Sequence, residues 1–361
     1  MIKNFKATVD DSSFSKIWRW RVAVPGRKNL RLCFVSVLIC FWMAAALLSA
    51  AEKPDPLPSW NDGPVKSSIV EFVQRVVSAG TPSFVPEDQR IAVFDNDGTL
   101  WSEQPNYVEW LFVTDRIKAL AQGRPEWKTQ QPFKAVLDND WKAFHDSGQE
   151  GMQKIYIATH SGMTTAEFET SVLEWLVKEK HPRFNRPYTD LVYQPMLDLL
   201  AYFRRNGFKT FIVSGGAIDF MRPWTQRVYG VPPEQVIGTS QQMRYELRNG
   251  KPVLVLLPQP QLICEDDGKA VGIQTRIGRR PIAAFGNADS DLKMLEWTAA
   301  GDGVRFLLLV HHTDAEREWA YDRNSGIGRL DKAIDEALKR GWTLVDMKRD
   351  WKRIYPFEKT N

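Results

Sequence analysis

Cysteine is scarce in this chain of 361 residues, which contains three. Cys33 and Cys40 lie in a basic and apolar amino-terminal stretch, so only Cys264 remains if that stretch is removed. One cysteine cannot form a disulfide within its own chain, although many exported domains depend on such cross-links. The sequence therefore predicts a body stabilised by packing, and its length fits a core domain with an insertion.

Histidine is also rare, with five residues in the chain. Neither His145 nor His160 has a second His, Cys or carboxylate at a spacing typical of metal ligands. Neither histidine is therefore predicted to be a metal ligand. Both side chains are interpreted as parts of the core.

Excess positive charge is absent from most of the chain. The first 31 residues carry eight Lys or Arg and two Asp, a balance of +6, whereas the whole chain carries +4. Because residues 32–51 are uncharged, residues 52–361 carry a balance of −2. This balance gives no support to a nucleic-acid-binding surface.

Long apolar runs are missing except for one, Leu32 to Leu48, which follows the basic stretch and precedes small residues ending at Ala51. This pattern is typical of a signal peptide cleaved before Glu52, and an uncleaved membrane anchor with its basic end inside is the alternative. In both cases the body is exported, to the periplasm or to the outer side of the inner membrane. Residue Ile39 is too large for a lipidation motif at Cys40. Residues 52–64 are rich in proline and are expected to form an extended linker.

Two aspartates follow a short apolar run. Ile91 to Phe94 suits a strand buried on both faces. Asp95 and Asp97 follow and would point the same way if the strand continued, and Gly98 allows the backbone to turn away. Two carboxylates at the end of a buried strand repel each other unless they share a cation or a proton. The pattern predicts a Mg²⁺ site.

A second strand, Phe208 to Val213, is followed directly by Ser214, Gly215 and Gly216. A hydroxyl group and glycine amides before a helix can bind phosphate oxygens through hydrogen bonds and the helix dipole. An ordinary turn is the alternative for this segment. The sequence predicts a phosphate site there if the segment lies beside the two aspartates.

These segments resemble motifs of the haloacid dehalogenase (HAD) superfamily in order and spacing. Ser214 occupies the place of the second motif, a Ser or Thr after a strand. Lys269 lies 18 residues before Asn287 and resembles the third motif; it is preferred to Lys251, which lies at the tip of a predicted hairpin, Gln241 to Leu257. Gly286 to Asp291 resembles the fourth motif, with Asp291 matching and Asn287 replacing an aspartate. The first motif of the superfamily, Asp-x-Asp-Gly-Thr-Leu, is matched by Asp95, Asn96, Asp97, Gly98, Thr99 and Leu100.

Residues 102–186 show helical periodicity throughout, and phosphoserine-phosphatase-like members of the superfamily carry a helical cap at this position. The predicted helices are Val108 to Ile117, Phe133 to His145, Gln149 to Thr159, and Thr164 to Lys180, the last with a capping box. Aromatic residues in or beside this segment are interpreted as core, and a pocket for a choline-like cation is the alternative. These residues are Trp101, Tyr107, Trp110, Trp127, Trp141 and Trp175.

The resemblance implies a three-layer, Rossmann-like α/β core with a mainly parallel sheet, formed by residues 65–101 and 187–361, and an inserted helical cap, residues 102–186. The active site would lie at the carboxyl ends of the strands. The last helix of this core is expected at Asp331 to Lys339, followed by an extended tail.

It also implies a Mg²⁺-dependent phosphomonoester hydrolase acting on a small phosphorylated metabolite through a phosphoaspartyl intermediate. Asp95 would be the nucleophile, Asp97 the general acid and base, and Ser214 and Lys269 would complete the catalytic set. Ser214, Gly215 and Lys269 would bind the phosphate. A phosphotransferase or mutase, and a non-catalytic phosphate-binding protein, are the alternatives. The metal ligands would be Asp95, Asp97, Asn287 and Asp291.

The amide at Asn287 carries no charge, so Mg²⁺ should bind more weakly here than in relatives with a full acidic set. On this reasoning Asn287→Asp should tighten Mg²⁺ binding and Asn287→Ala should weaken it.

Overall fold

The computed structural model describes residues 54–358, apart from the side chains of Trp141, His145 and Gln149. The predicted leader and the core placement of His145 lie outside this described part. Every helix within residues 54–358 is too short or too polar to cross a lipid bilayer. The strands are β1 (Ile91–Phe94), β2 (Lys209–Ala217), β3 (Val236–Arg248), β4 (Lys251–Leu262), β5 (Ala283–Gly286), β6 (Phe306–Thr313), β7 (Ala320–Tyr321) and β8 (Thr343–Asp346).

Helices lie between and around the strands. The α-helices are α1 (Pro64–Val77), α2 (Val108–Leu120), α3 (Phe133–Leu137), α4 (Trp141–Asp146), α5 (Gly148–His160), α6 (Thr165–Lys178), α7 (Gln194–Arg205), α8 (Ile218–Tyr229), α9 (Asp267–Ile277), α10 (Leu292–Ala299), α11 (Lys332–Arg340) and α12 (Met347–Asp350).

One sheet joins the strands in the order β4-β3-β2-β1-β5-β6-β7, with β8 paired to β6. The central pairs β2 with β1, β1 with β5 and β5 with β6 are parallel, whereas β3 with β4 and β6 with β7 are antiparallel. The predicted mainly parallel sheet is confirmed. Strand β1 lies at its centre, so the residues that follow β1 have strands on both sides.

Two apolar clusters cover the two faces of the sheet. Because side chains alternate along a strand, Ala92 and Phe94 face one cluster, together with α1 and α7, whereas Ile91 and Val93 face the other, together with α9, α10 and α11. This arrangement gives the three layers predicted from the sequence. It leaves the carboxyl ends of the strands open to polar groups.

Residues 102–186, which we call the insertion, contain helices and no named strand. The capping box at Thr164 and Glu167 is confirmed. The single helix predicted from Phe133 to His145 is wrong, because α3 and α4 are separated at Asn139, whose φ is 55°. Left-handed backbone of this kind ends a helix and is tolerated by asparagine.

The predicted hairpin is confirmed and is longer than expected, since β3 already begins at Val236. Its turn residues Asn249 and Gly250 have φ values of 53° and 73°, as a type I′ turn requires. The hairpin also contacts the insertion. Leu256 accepts a hydrogen bond from the amide of Gly162 at 2.8 Å and donates one to the carbonyl of Met163 at 2.9 Å.

The expected extended linker is wrong from Asp55 onward, where the chain joins one compact unit. Leu57 and Trp60 are fully buried, and the indole N–H of Trp60 donates to the carbonyl of Pro195 at 2.9 Å. The prolines suggested a spacer, but these two apolar side chains have a surface to pack against. Trp60 meets Trp351 with ring centroids 5.9 Å apart.

The expected extended tail is also wrong. After α11 the chain forms β8, which pairs in parallel with β6, and then α12. Trp351 and Tyr355 beyond α12 are buried. The tail is therefore part of the core.

Candidate active site

Three neighbouring strands bring the predicted site residues to one edge of the sheet. Asp95 directly follows β1, and its amide donates to the carbonyl of Phe285 in β5 at 2.9 Å. Ser214 lies within β2, where the pairing with β3 is irregular. Asn287 directly follows β5. Since β1 is parallel to both β2 and β5, their carboxyl ends meet at the same edge.

Lys269 connects the first and fourth predicted motifs. It lies in the first turn of α9, and its ammonium nitrogen is 2.6 Å from Asp95 Oδ1 and 2.6 Å from Asp291 Oδ1. The other carboxylate oxygen of Asp291 accepts from the amides of Asn287 and Ala288 at 2.9 and 3.0 Å. All three charged side chains are buried. The choice of Lys269 over Lys251 agrees with this geometry, because Lys251 lies beside the hairpin turn.

The charges of this cluster do not balance. Burial, followed by the charge of Asp291, raises the pKa of Asp95 well above its usual range, and Lys269 offsets this only in part. Burial lowers the pKa of Lys269, but the two carboxylates outweigh it and hold that pKa well above its ordinary value. Two buried carboxylates with one ammonium leave an excess negative charge. A further cation or a proton would compensate it.

Asp97 has a different hydrogen-bond partner from Asp95. Its Oδ1 accepts a hydrogen bond from the indole N–H of Trp101 at 2.8 Å. Its Oδ2 lies 3.9 Å from the position that a Cβ on Gly216 would take, and Ser214 Oγ lies 3.4 Å from the same position. Burial raises the pKa of Asp97, and the hydrogen bond from Trp101 opposes that change. A carboxyl group with a raised pKa is suited to donating a proton, and this one lies near Ser214 to Gly216, the predicted phosphate loop.

Both ends of the Asn287 side chain have partners. Its Oδ1 accepts from the hydroxyl of Thr99 at 3.0 Å, and its Nδ2 donates to Glu103 Oε1 at 2.8 Å. Glu103 Oε1 also accepts from the hydroxyl of Tyr321 at 2.8 Å. Gly98 is required here, because its φ is +70° and a Cβ would lie 2.1 Å from Asn287 Nδ2. Asn287 therefore packs directly beneath the turn that follows the two aspartates.

The acids fit Mg²⁺ in part. Within residues 54–358, no three His, Cys, Asp or Glu side chains converge on one metal position. Mg²⁺ needs fewer, since it usually keeps several waters and binds one or two carboxylates plus substrate phosphate. Asp95 and Asp291 meet this requirement and carry the excess negative charge. The side chains of Asp97 and Asn287, also predicted as ligands, are directed towards Trp101, Thr99 and Glu103.

The predicted phosphate loop is tightly enclosed. Ser214 Oγ accepts from the amide of Gly216 at 3.1 Å, and Thr239 donates its hydroxyl hydrogen to the carbonyl of Gly215 at 2.6 Å. A Cβ on Gly215 would lie 1.9 Å from Glu265 Oε2. Glycine at 215 thus lets Glu265 approach the loop, a neighbour that sequence reasoning missed.

Sequence reasoning also missed Glu109, which reaches from α2 of the insertion to the phosphate loop. Its Oε2 accepts from the amide of Ala217 at 2.7 Å. Burial, together with the charges of Asp97 and Asp219, raises the pKa of Glu109 to about 8. Its Oε1 lies 3.9 Å from Nε2 of His160, which is buried as predicted and whose Nε2 has no hydrogen-bond partner among the described residues. In the sequence Glu109 is an ordinary glutamate in the first turn of a helix, so no pattern there predicts its contact with Ala217.

The aromatic residues of the insertion behave as core. Trp101, Trp127 and Trp175 are buried, and Trp110 packs partly buried against the same cluster. Tyr107 accepts a hydrogen bond from the amide of Gly328 at 3.1 Å. The interpretation as core is confirmed for the four tryptophans named here, whereas the side chain of Trp141 lies outside the described residues. The described residues give no separate support for a choline-type pocket.

The sequence model of haloacid dehalogenase-like hydrolases matches residues 92–296, which include β1, the insertion and the segment carrying Asp291. No curated protein matches the chain.

Solved structures with a similar chain path share little sequence. A protein of unknown function from Bordetella pertussis Tohama I is 16% identical, with 72% of this chain and 99% of that chain covered and a TM-score of 0.45. A conserved protein of unknown function from Anaerococcus prevotii DSM 20548 is 15% identical, with 81% and 94% covered and a TM-score of 0.49. A phosphoserine phosphohydrolase-like protein from Francisella tularensis subsp. tularensis SCHU S4 is 16% identical, with 61% and 87% covered and a TM-score of 0.37. Similarity at this level carries no argument about activity.

Proposed function

Because the chain belongs to the haloacid dehalogenase-like hydrolase family, we propose that it is a Mg²⁺-dependent hydrolase of small phosphomonoesters that acts through a phosphoaspartyl intermediate. The observation that carries the proposal is the bridge from Lys269 to Asp95 and Asp291, 2.6 Å on each side. It joins a nucleophile, a cation for phosphate oxygens and a second acid at the carboxyl edge of the sheet. Ser214 and Asp97 lie beside it.

The proposed reaction has two displacements at phosphorus. An oxygen of Asp95 attacks phosphorus, and the bond to the leaving oxygen breaks while Asp97 gives that oxygen a proton. Water then attacks the phosphoaspartate while Asp97 accepts a proton from that water, and the bond between phosphorus and the Asp95 oxygen breaks. This step releases phosphate and restores both carboxyl groups to their starting states.

Several groups would hold the phosphate during both steps. Ser214 and Lys269 would bind its oxygens, with the backbone at Gly215 beside them. Asp95 and Asp291 would hold Mg²⁺, which supplies positive charge for the phosphoryl oxygens when it is bound. The raised pKa of Asp97 supports its assignment as the acid, because the group must hold a proton before it can donate one.

Two other activities use the same site. A phosphotransferase or mutase would pass the phosphoryl group to an alcohol instead of water, and a phosphate-binding protein would perform no chemistry. The position of Asp97 supports chemistry, since pure binding of a phosphate dianion gains nothing from an additional acid beside Ser214.

Turnover of 4-nitrophenyl phosphate with and without EDTA tests the proposal. We expect phosphate release that EDTA abolishes and added Mg²⁺ restores. Binding of phosphate without turnover would identify the chain as a binding protein. Transfer to an added alcohol at the expense of free phosphate would identify a phosphotransferase.

Export is the second part of the proposal and rests on the basic stretch and apolar run of residues 1–51. We expect the protein in the periplasm with its amino terminus near Glu52, or on the outer face of the inner membrane. Fractionation followed by amino-terminal sequencing distinguishes these outcomes. Leu38→Arg, which interrupts the apolar run, should keep the chain in the cytosol. Recovery of unmodified full-length chain from the cytosol would contradict the proposal.

A further inference from the structure

The turn that follows the two aspartates, Gly98 to Ser102, is held at both ends by one buried pair. The carbonyl of Gly98 lies 2.8 Å from Nε2 of His312 in β6. The hydroxyl of Ser102 donates to Glu318 Oε1 at 2.6 Å. The pair itself is joined, since His312 Nδ1 lies 3.1 Å from Glu318 Oε2. We call His312 and Glu318 the clamp.

The contacts of the clamp define its hydrogen bonds. The two ring nitrogens of His312 lie against oxygen atoms, Nε2 at the carbonyl of Gly98 and Nδ1 at the carboxylate of Glu318, and a ring nitrogen that carries a hydrogen donates it to the oxygen beside it. Glu318 receives further hydrogen bonds from the hydroxyl of Tyr193 at 3.1 Å and the amide of Trp319 at 2.7 Å. Burial raises the pKa of Glu318, but His312, the hydroxyl of Ser102 and the amide of Trp319 outweigh it and leave that pKa below its ordinary value.

A buried contact between a histidine and a carboxylate contributes little net stability, because the loss of hydration of both groups offsets their attraction. His312 is 2% exposed and Glu318 is 0% exposed. The ring of His312 also stacks on Tyr321 with centroids 4.3 Å apart, which fixes its orientation. Such a pair is better suited to fixing geometry than to stabilising the fold.

The geometry that the clamp fixes leads to Asp97. Trp101 lies within the clamped turn, and its carbonyl accepts from the amide of Gly98 at 2.9 Å. Its indole stacks on Trp224 with centroids 4.6 Å apart, and its N–H donates to Asp97 Oδ1 at 2.8 Å. The orientation of the Asp97 carboxyl group therefore depends on where the turn is held.

We propose that His312 and Glu318 are positioning residues, which hold the turn so that Trp101 orients Asp97 for proton transfer to the leaving group. This inference rests on the proposed phosphomonoesterase function. It assigns a role to two buried ionisable residues on the far side of the turn, neither of which contacts the proposed nucleophile or phosphate loop through a hydrogen bond in the described residues.

The test compares two substrates that need the acid to different degrees. An alkyl phosphate needs a proton on its leaving oxygen, whereas 4-nitrophenyl phosphate leaves readily without one. For His312→Gln we expect kcat/KM, which reports the steps up to phosphoryl transfer to Asp95, to fall roughly 10- to 100-fold on the alkyl ester and less than about threefold on the nitrophenyl ester. Ser102→Ala removes one hydroxyl and should show the same preference more weakly. Trp101→Phe, which keeps ring stacking but removes the N–H, should reproduce the His312→Gln pattern.

The matched control is His311→Gln, on the same strand, whose ring is partly exposed and lies 3.4 Å from Asp322. It should change neither rate. If His312→Gln and Ser102→Ala lower the rates on both esters equally, and these losses accompany a lower Tm, the positioning role of the clamp is wrong. The phosphatase proposal would stand. If His312→Gln does not fold, Ser102→Ala and Trp101→Phe decide the matter. A wild-type protein inactive on both esters would overturn the proposed function, and the clamp's catalytic role with it.

Discussion

At the scale of single residues, the site is a group of buried acids around one lysine. Lys269 bridges Asp95 and Asp291, while Asp97 and Glu103 make separate contacts with Trp101 and Asn287. Burial, then the charges of other acids, raises the pKa of Glu103 well above its usual range despite the hydrogen bond from Tyr321. Such an arrangement favours bound cations, which is the physical reason to expect a metal requirement.

Asn287 gives the first prediction. The expectation from sequence, that Asn287→Asp alone tightens Mg²⁺ binding, omits Glu103, whose Oε1 is 2.8 Å from Asn287 Nδ2. The substitution sets two carboxyl groups against each other. Adding Glu103→Gln restores a donor, so the double variant should lower the Mg²⁺ midpoint for phosphate release more than Asn287→Asp does.

The measurement is a Mg²⁺ titration, monitored by phosphate release, of the wild type, Asn287→Asp, Glu103→Gln and the variant that carries both substitutions. Asn287→Ala is titrated in the same way and is expected to raise the Mg²⁺ midpoint. If all midpoints coincide, Asn287 does not influence the metal and the assignment of the fourth motif is wrong.

Sequence spacing predicted which residues of the motifs meet, because parallel strands place their carboxyl ends together. Asp95 and Asn287 follow β1 and β5, and Ser214 lies in the carboxyl-terminal half of β2, for this reason. The contacts from Trp101 to Asp97 and from Glu103 to Asn287 were not predictable. The contact from Trp101 to Asp97 depends on the shape of the turn after β1. The contact between Glu103 and Asn287 joins residues 184 positions apart, and a single sequence carries no pattern for such a pair.

At the scale of elements, the insertion and the core meet at the phosphate loop. Glu109 in the first turn of α2 accepts from Ala217 at the start of α8, and the β3–β4 hairpin pairs with the loop around Gly162. The insertion is thus attached to the core at two places, one of them beside the proposed phosphate site.

Glu109 gives a prediction about pH. Its pKa is raised from 4.5 to about 8 in the fold, by burial first. Between these values the unfolded chain loses a proton that the folded chain keeps, so stability from this group is complete below pH 4.5 and is lost as pH rises to about 8. Glu109→Gln cannot ionise and keeps an acceptor for the amide of Ala217. The difference in free energy of unfolding between Glu109→Gln and the wild type should therefore shift in favour of the variant as pH rises from 4.5 to about 8. Above about pH 8 this difference should stay constant.

Urea unfolding at a series of pH values measures this difference, with Glu71→Gln on the exposed side of α1 as the control. Parallel profiles for wild type and Glu109→Gln would show that Glu109 is not held in a proton-retaining environment.

Strong periodic patterns and turn chemistry predicted elements well. The hairpin followed from Asn249 and Gly250, and the start of α6 from its capping box. The break at Asn139 and the short strand β8 were missed. One asparagine within a helical pattern does not predict a left-handed backbone conformation. Strand β8 has only four residues, and it is specified by its pairing with β6.

At the scale of the whole molecule, the first and last described segments pack together. The indole of Trp60 lies edge-on to that of Trp351, and the amide of Asn61 donates to the carbonyl of Asp350 at 2.9 Å. Neither segment was predicted to be structured, since composition alone suggested a linker and a tail. Their burial becomes visible only when both ends of the chain are seen on the same core.

Trp60→Ala tests this packing. It should lower the free energy of unfolding by about 3–5 kcal/mol, because a large buried ring is lost and the carbonyl of Pro195 loses its donor. Phe84→Ala, at a partly exposed ring, is the control and should cost less than about 1 kcal/mol. Equal and small effects would mean that residues 55–63 form a spacer after all.

Asp95 is proposed as the nucleophile of a phosphomonoesterase, and phosphate release by Asp95→Asn tests that assignment. The amide preserves shape but is a poor nucleophile, so we expect turnover to be abolished while Tm stays near that of the wild type. Asp88→Asn, at an exposed aspartate paired with Arg279, is the matched control and should retain full activity. Removal of a nucleophile should cost far more than tenfold in rate. Turnover of Asp95→Asn above about a tenth of the wild-type rate would therefore contradict the assignment of Asp95 as the nucleophile.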